Sequence, residues 1–214
     1  MSDQDNSELL ELNKRISKTL DNERKEAAEI RHIKGFRTAR ENLQHLVDED
    51  SFIEYGQLAV AAQRNRRDYE ELQSTTAADG IITGLCSINK DLVGEELSKA
   101  IAIVNDFSVL AGTQGFFHHK KLDRMCDLAK KTKRPVVMFT EGGGGRPADT
   151  DVSTQIAGLN ITSFTRWAKL TGHSLRISVN NGYCFAGNAA LYGASDFCIA
   201  TKKSWIGMAG PAMI

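Results

Sequence analysis

Two glycine-dense turns carry the strongest chemical signal in this chain. The first, Thr140-Glu141-Gly142-Gly143-Gly144-Gly145-Arg146, follows the apolar run Val136-Val137-Met138-Phe139. The second, Asn181-Gly182-Tyr183-Cys184-Phe185-Ala186-Gly187-Asn188, follows Leu175-Arg176-Ile177-Ser178-Val179. Each reads as a turn that leaves a strand and enters a helix. Glycine lets such a turn present backbone N–H groups where a side chain would block a ligand. Two of them, about 40 residues apart in a strand-helix repeat of roughly 30 residues, suit two donors converging on one oxygen. That geometry stabilises an enolate or a tetrahedral oxyanion.

Other readings of these turns fare worse. No Gly-Lys-Ser or Gly-Lys-Thr follows Gly142–Gly145, so the run is not a P-loop, and the G-x-G-x-x-G spacing of a dinucleotide fold is absent. Four consecutive glycines carry an entropic cost, which favours ligand contact over a plain flexible loop. Gly182 and Gly187 taken alone fit tight strand-helix packing equally well; the pairing with the first turn tips them toward function. His118-His119 lack the i, i+4 spacing of helical zinc ligands and have no evident carboxylate partner, leaving a helix-start role or a contact with substrate phosphates. Lys130-Lys131-Thr132-Lys133-Arg134 reads as a solvated helix end, where cations meet the negative end of the dipole.

The elements that must position these turns are those of an α/β protein. Residues 7 to about 50 are helical and mostly polar, with one narrow stripe at Leu9, Leu12, Ile16 and Leu20. Thr38-Ala39-Arg40-Glu41 is a capping box ahead of Leu43, Leu46 and Val47. This arm cannot make its own core and is expected to pack on the rest of the domain or on another subunit. From Asp79 strands and helices alternate: strands at 80–88 and 100–104, a Gly-bounded loop at 112–115, a helix at 116–133, a strand at 135–139, a helix at 153–171, a strand at 174–179, a short helix at 189–192 and a strand at 197–200.

At 214 residues the chain can bury a core as one domain or two. It is 41% hydrophobic and 25% charged, with Lys plus Arg equal to Asp plus Glu at 27 each. Net zero charge predicts no nucleic-acid or anionic-membrane partner. The polar, acidic start is unlike a targeting peptide and no apolar run approaches the ~20 residues of a membrane span, so a soluble, intracellular protein is expected. Cys86, Cys126, Cys184 and Cys198 contain no C-x-x-C pair. They read as small buried thiols in a reducing compartment, with no metal site. The closing Gly207-Met208-Ala209-Gly210-Pro211-Ala212-Met213-Ile214 is apolar and uncharged, which suggests a piece of a longer polypeptide.

With these segments in order, the chain resembles the carboxyltransferase (β-type) subunits of biotin-dependent acyl-CoA carboxylases, within the crotonase superfamily. Asp106-Phe107-Ser108-Val109-Leu110-Ala111-Gly112-Thr113 is similar to the family's D-F-T-V-L-G-G-S. His118 with Lys120-Lys121 resembles its H-G-K-K, His119 replacing the glycine. Glu141 to Arg146 matches D-S-G-G-A-R, Gly182 to Asn188 matches G-P-C-A-G-G-A, and Asp196-Phe197 the following D-F. Upstream, Thr38 to Glu41 and Asp50-Ser51-Phe52 resemble T-A-R-E-R and G-S-F. Two departures stand out: Pro147-Ala148-Asp149-Thr150 in place of I-Q-E-G, and Ala186 in place of the first glycine of its turn. They bear on acyl-pocket shape. The cysteine spacing excludes the bacterial type with an N-terminal zinc ribbon.

The resemblance implies a crotonase-like spiral of ββα units, with residues 1–50 as a helical arm and 51–214 as the acyl-CoA half of a carboxyltransferase, cut short at its C-terminus. It implies transfer of a carboxyl group from N-carboxybiotin to the α-carbon of an acyl-CoA of the acetyl-, propionyl- or methylcrotonyl-CoA class. Ala186 and Gly187 would donate to the acyl oxygen; Gly143, Gly144 and Gly145 would line the CoA side; Arg146 would lock the first turn or meet the substrate. His118, Lys120 and Lys121 become candidates for CoA phosphates. Biotin would arrive on a separate carrier, with biotin carboxylase, the biotin carboxyl carrier and the C-terminal carboxyltransferase half as partners. The family further suggests a homo-oligomer at full length and a cytoplasmic location, or the mitochondrial matrix in a eukaryote. Three rivals stay open: a biotin-dependent decarboxylase, a crotonase-type hydratase or isomerase using Glu141 or Asp149, and a non-catalytic piece that binds CoA or a partner.

Since the resemblance places the biotin-facing half outside these 214 residues, the polypeptide alone should not carboxylate an acyl-CoA, even with carboxybiotin carrier supplied. Malonyl- or methylmalonyl-CoA formed by the isolated chain, followed by mass spectrometry, would contradict this.

Overall fold

The structure, a computed structural model, describes residues 3–152 and 161–210. Three helices open it: α1 (Asp3–Ser17), α2 (Lys25–Ile33) and α3 (Ala39–Leu46). The capping box forms as expected, the Glu41 N–H donating to Thr38 Oγ1 at 3.0 Å and the Thr38 N–H to Glu41 Oε2 at 2.7 Å. Then follow β1 (Ile53–Glu54), α4 (Tyr69–Thr75), β2 (Ile81–Ser87), two single turns α5 (Lys90–Val93) and α6 (Glu95–Ser98), β3 (Lys99–Asn105) and the long α7 (Phe116–Thr132). The chain continues through β4 (Val136–Phe139), α8 (Ser163–Ala168), β5 (Arg176–Asn180), β6 (Tyr183–Phe185), α9 (Gly187–Gly193), β7 (Phe197–Ala200) and β8 (Trp205–Gly207). The expected helix at 153–171 lies partly outside the described residues, as does the terminal 211–214; α8 is its described portion.

One mixed sheet organises the molecule in the order β1-β2-β3-β4-β5-β7. The first three strands pair antiparallel and the remainder parallel. The strand period of two sorts β3 cleanly. Ile101 and Ile103 face a core built with Leu122, Met125, Cys126 and Ala129 of α7, Trp167 of α8 and Leu191 of α9. Ala100, Ala102 and Val104 face the other way, onto Ala39 and Leu43 of α3. The helical arm thus packs on its own domain. Its first stripe is used only in part: Ile16 and Leu20 are half-buried, while Leu9 and Leu12 stay exposed.

Two features depart from the sequence reading. The second glycine turn is not a simple turn into a helix, because Tyr183–Phe185 forms β6 and pairs in parallel with β8, Trp205–Gly207. And the four cysteines are not all buried. Cys86, Cys126 and Cys184 are, but Cys198 is exposed, since β7 ends the sheet and its face has no covering layer among the described residues.

The arm is fastened by buried ion pairs. Arg24 Nη1 donates to Asp106 Oδ2 at 2.7 Å. Arg31 grips Glu141 through two bonds, Nη1 to Oε1 at 2.9 Å and Nη2 to Oε2 at 2.6 Å, with both side chains buried. Burial raises the Glu141 carboxyl above its ordinary value, against the pull of Arg31. Removing one partner of such a pair strands the other. Arg31→Ala should therefore cost about 3 kcal/mol or more in urea unfolding, while Arg31→Met with Glu141→Leu recovers most of it; a single-variant loss below about 1 kcal/mol would contradict the assignment.

Candidate functional site

The two glycine turns meet backbone to backbone. The Gly142 N–H donates to the Tyr183 carbonyl at 2.7 Å and the Phe185 N–H to the Gly142 carbonyl at 2.8 Å, a parallel bridge between Gly142 and Cys184. The Asn188 side chain, fully buried, accepts the Gly144 N–H on Oδ1 at 3.0 Å. A side chain at Gly182 would overlap the Glu141 carboxylate, so the second turn closes on the first only because that position is bare. Gly144 adopts φ +92°, and a β-carbon there would stand 2.7 Å from the Ala186 methyl; glycine is required on both counts.

A third segment, residues 106–115, joins them. Leu110 and Ala111 both have positive φ, 48° and 57°. The loop they open accepts the Gly143 N–H on the Ala111 carbonyl at 3.0 Å. Gln114 then runs beside the first turn, its N–H donating to the Gly144 carbonyl at 2.7 Å and its carbonyl accepting the Arg146 N–H at 3.0 Å. Two signals mark it in the sequence: the match of Asp106–Thr113 to the family motif, and a Gly-bounded loop directly after β3, in the place the other two turns hold after β4 and β5.

Arg146 locks the end of the first turn. It is buried, ion-paired with Asp79, 3.6 Å from Asp149, and donates through Nη2 to the Thr113 carbonyl at 2.6 Å. The same two carboxylates cap α7: Asp149 Oδ2 accepts the Phe116 N–H at 2.8 Å and Asp79 Oδ2 the His118 N–H at 2.7 Å. Negative charge at a helix N-terminus is favourable, and burial raises the Asp79 carboxyl even beside Arg146. Of the two roles expected for Arg146, this geometry displays the lock.

The structure separates the residues expected at CoA phosphates. His118 is fully buried, its Nε2 paired with Asn105 Oδ1 at 2.8 Å, and burial holds it well below the ordinary histidine range. Lys121 is buried too, donating to the carbonyls of Ala78, at 2.9 Å, and Ile81; burial lowers it to about 8. Both lie on the inward stripe of α7, so neither reaches solvent. Lys120 alone of the three is exposed. His119, lowered by burial to about 4, pairs Nδ1 with Ser163 Oγ at 3.0 Å.

Among the expected acyl donors the two neighbours differ. The Ala186 N–H is taken by the Gly207 carbonyl at 3.1 Å, an effect of the β6–β8 pairing that the local sequence does not display. Gly187 begins α9, is half-buried, and among the described residues its N–H has no acceptor. Gly143 and Gly145 are exposed beside it. The two candidate bases are both held: Glu141 by Arg31, and Asp149 by the Phe116 N–H, Gln63 Nε2 at 3.1 Å and Arg146. Cys184 is buried, its thiol pushed by burial up to about 11. The arrangement can polarise a carbonyl oxygen, and both candidate carboxylates beside it, Glu141 and Asp149, are already paired. Among the described residues no His/Cys/Asp/Glu group could hold a metal and no helix is long and apolar enough to cross a membrane.

Known proteins share this architecture. The family model for the carboxyl transferase domain matches residues 31–214. A biotin-dependent acetyl-/propionyl-coenzyme A carboxylase beta5 subunit from Mycobacterium tuberculosis is 30% identical over 208 residues, covering 96% of this chain and 35% of its own length. A solved single-chain, multi-domain long-chain acyl-CoA carboxylase is 49% identical with a TM-score of 0.90, covering 97% of this chain and 20% of that one. The transcarboxylase 12S structure, a hexamer with hydrolysed methylmalonyl-coenzyme A bound, is 28% identical with a TM-score of 0.73, covering 88% and 34%. This chain therefore spans about a third of the length of the curated relatives it matches. Its fold is crotonase-like, and the chain belongs to the carboxyl transferase domain family.

Proposed function

We propose that this chain is the acyl-CoA-binding half of a biotin-dependent carboxyltransferase, moving a carboxyl group between N-carboxybiotin and the α-carbon of an acyl-CoA. The observation that carries the reading is the Gly187 N–H, which has no acceptor among the described residues, at the junction of the two bridged turns. Loss of the α-proton places negative charge on the thioester oxygen, and a fixed N–H aimed at that oxygen acts where charge develops. The Gly143–Gly145 backbone borders the path of the CoA moiety, and Arg146 holds that backbone from behind. Exposed Lys120 remains the candidate for a CoA phosphate. Carboxybiotin, carried by a separate protein or domain, supplies the carboxyl group and, once it has lost it, the base; Glu141 and Asp149, tied to Arg31 and Arg146, suit a reaction that brings its own base. The same enolate serves decarboxylation, so the direction is set by the partners.

The further parts of such an enzyme would cover the face of β7 and β8. Phe197, Ile199, Trp205 and Met208 are each more than half exposed there, an apolar surface of the kind that marks an interface. We assign it to the second carboxyltransferase half or to another subunit, with biotin carboxylase and the carrier completing a cytoplasmic oligomer. The relatives' acyl groups run from acetyl to long-chain; Ala186, whose methyl faces Gly144, would help set the choice here.

In the intact enzyme, Gly187→Val should lower kcat by roughly 10²-fold or more, the scale for losing one oxyanion donor. Gly144→Val should abolish acyl-CoA binding, through strain at its positive φ and overlap with Ala186. Cys184→Ser should be far milder, because a buried thiol raised to about 11 is not a nucleophile. Steady-state kinetics decide: an inactive Cys184→Ser beside an active Gly187→Val would give the chemistry to the thiol.

A further inference from the structure

With the Ala186 N–H committed to Gly207, one of the two expected backbone donors is withdrawn from the site, and an oxyanion hole uses two. Resting on the site reading above, we propose that the side-chain amide of Gln114 is the second donor to the thioester oxygen, making Gln114 a catalytic residue of the acyl half.

Its backbone is fixed from both directions, to the Gly144 carbonyl and the Arg146 N–H, and Arg146 is itself locked between Asp79 and Asp149. Gln114 therefore belongs to the rigid part of the site. Its amide stands against Gly187: a β-carbon at Gly187 would meet Gln114 Oε1 at 2.6 Å and Cδ at 3.3 Å. Standard backbone dimensions then put the amide within roughly 5 Å of the Gly187 N–H. Gln114 is only 1% exposed, yet among the described residues its Nε2 has no hydrogen-bond partner. A buried amide nitrogen without a partner is costly unless a ligand completes it. The last torsion of glutamine is soft and roughly two-fold, so the NH₂ can turn to an oxygen seated at Gly187.

Two neighbouring buried nitrogens also lack partners, Asn188 Nδ2 and His119 Nε2. Asn188 is oriented by its bond to the Gly144 N–H, which turns Nδ2 onto the Cα of Gly142. His119 stands behind Phe164, their ring centroids 6.3 Å apart, and Phe164 itself abuts Gly187. Gln114 is the polar side chain that reaches the Gly187 turn directly. A neutral amide there stabilises the developing enolate without adding a fixed charge.

The test uses the intact carboxylase with Gln114→Leu and Gln114→Glu, an acyl-CoA labelled with ¹³C at the thioester carbonyl, and Gly187→Val as the reference. Gln114→Leu should lower kcat by roughly a hundredfold with KM for acyl-CoA little changed. The melting temperature should be unchanged or raised, because a buried unpaired amide is removed, and the infrared band of the bound carbonyl should move to higher wavenumber as a hydrogen bond is lost. Gln114→Glu should be poor at neutral pH and regain activity, relative to the parent, as the carboxyl protonates and becomes a donor. An unchanged kcat and carbonyl band in Gln114→Leu, with Gly187→Val still impaired, would overturn the role of Gln114 and leave the site reading standing. If Gly187→Val were also unimpaired, the site reading itself would fall. A lowered melting temperature with kcat and KM moving together, and no pH recovery in Gln114→Glu, would mark Gln114 as structural and equally overturn the proposal.

Discussion

The parallel backbone bridge between Gly142 and Cys184 is the contact on which the rest of the site depends. It presses the turn after β4 against the turn after β5, with no side chain between them. The bridge forms only because Gly142, Gly144 and Gly182 leave room for Asn188, Ala186 and the Glu141 carboxylate respectively. Glycine at so many positions leaves a chain with much conformational entropy to lose. The structure offsets that loss with buried charge: Arg31 holds Glu141 at the start of the first turn, and Arg146, held by Asp79 and Asp149, ends it.

Chemistry and scaffold are therefore divided. The charged groups near the turns are all committed to one another or to helix α7, whose first N–H groups take Asp149 and Asp79. None is left to act as a base. Among the described residues, what stays uncommitted at the turns is neutral: an N–H at Gly187 and the buried amide nitrogen of Gln114. Such a site suits a reaction that generates charge on a substrate oxygen and obtains its proton acceptor elsewhere.

Much of this was legible in the sequence, for reasons that separate local from distant causes. The strands β2 to β5 and β7 are apolar runs bounded by turn residues, and α7 shows its inward stripe in Leu122, Met125, Cys126 and Ala129. The Thr38 capping box is wholly local and formed as read. What stayed hidden depends on partners far along the chain. The three residues of β6 become a strand only because Trp205–Gly207 lies beside them, and the same pairing removes the Ala186 N–H from the site. Lys121 is buried because the left-handed Ala78-Asp79 turn brings the Ala78 carbonyl to its ammonium, alongside that of Ile81. The spacing of His118 and Lys121 puts them on one helix face, but only the packed fold shows that this face points inward. Gln114 escaped notice because an isolated glutamine in a loop has no motif; only its burial and its empty amide distinguish it.

The most direct measurement is a crystal structure of the intact enzyme with a non-hydrolysable acyl-CoA analogue that keeps the acyl carbonyl. The account places the carbonyl oxygen within about 2.7–3.1 Å of the Gly187 nitrogen, the reach of an oxyanion-hole donor, with the CoA chain running past Gly143–Gly145. An oxygen seated away from Gly187, with the glycine turns left unoccupied by the analogue, would contradict it.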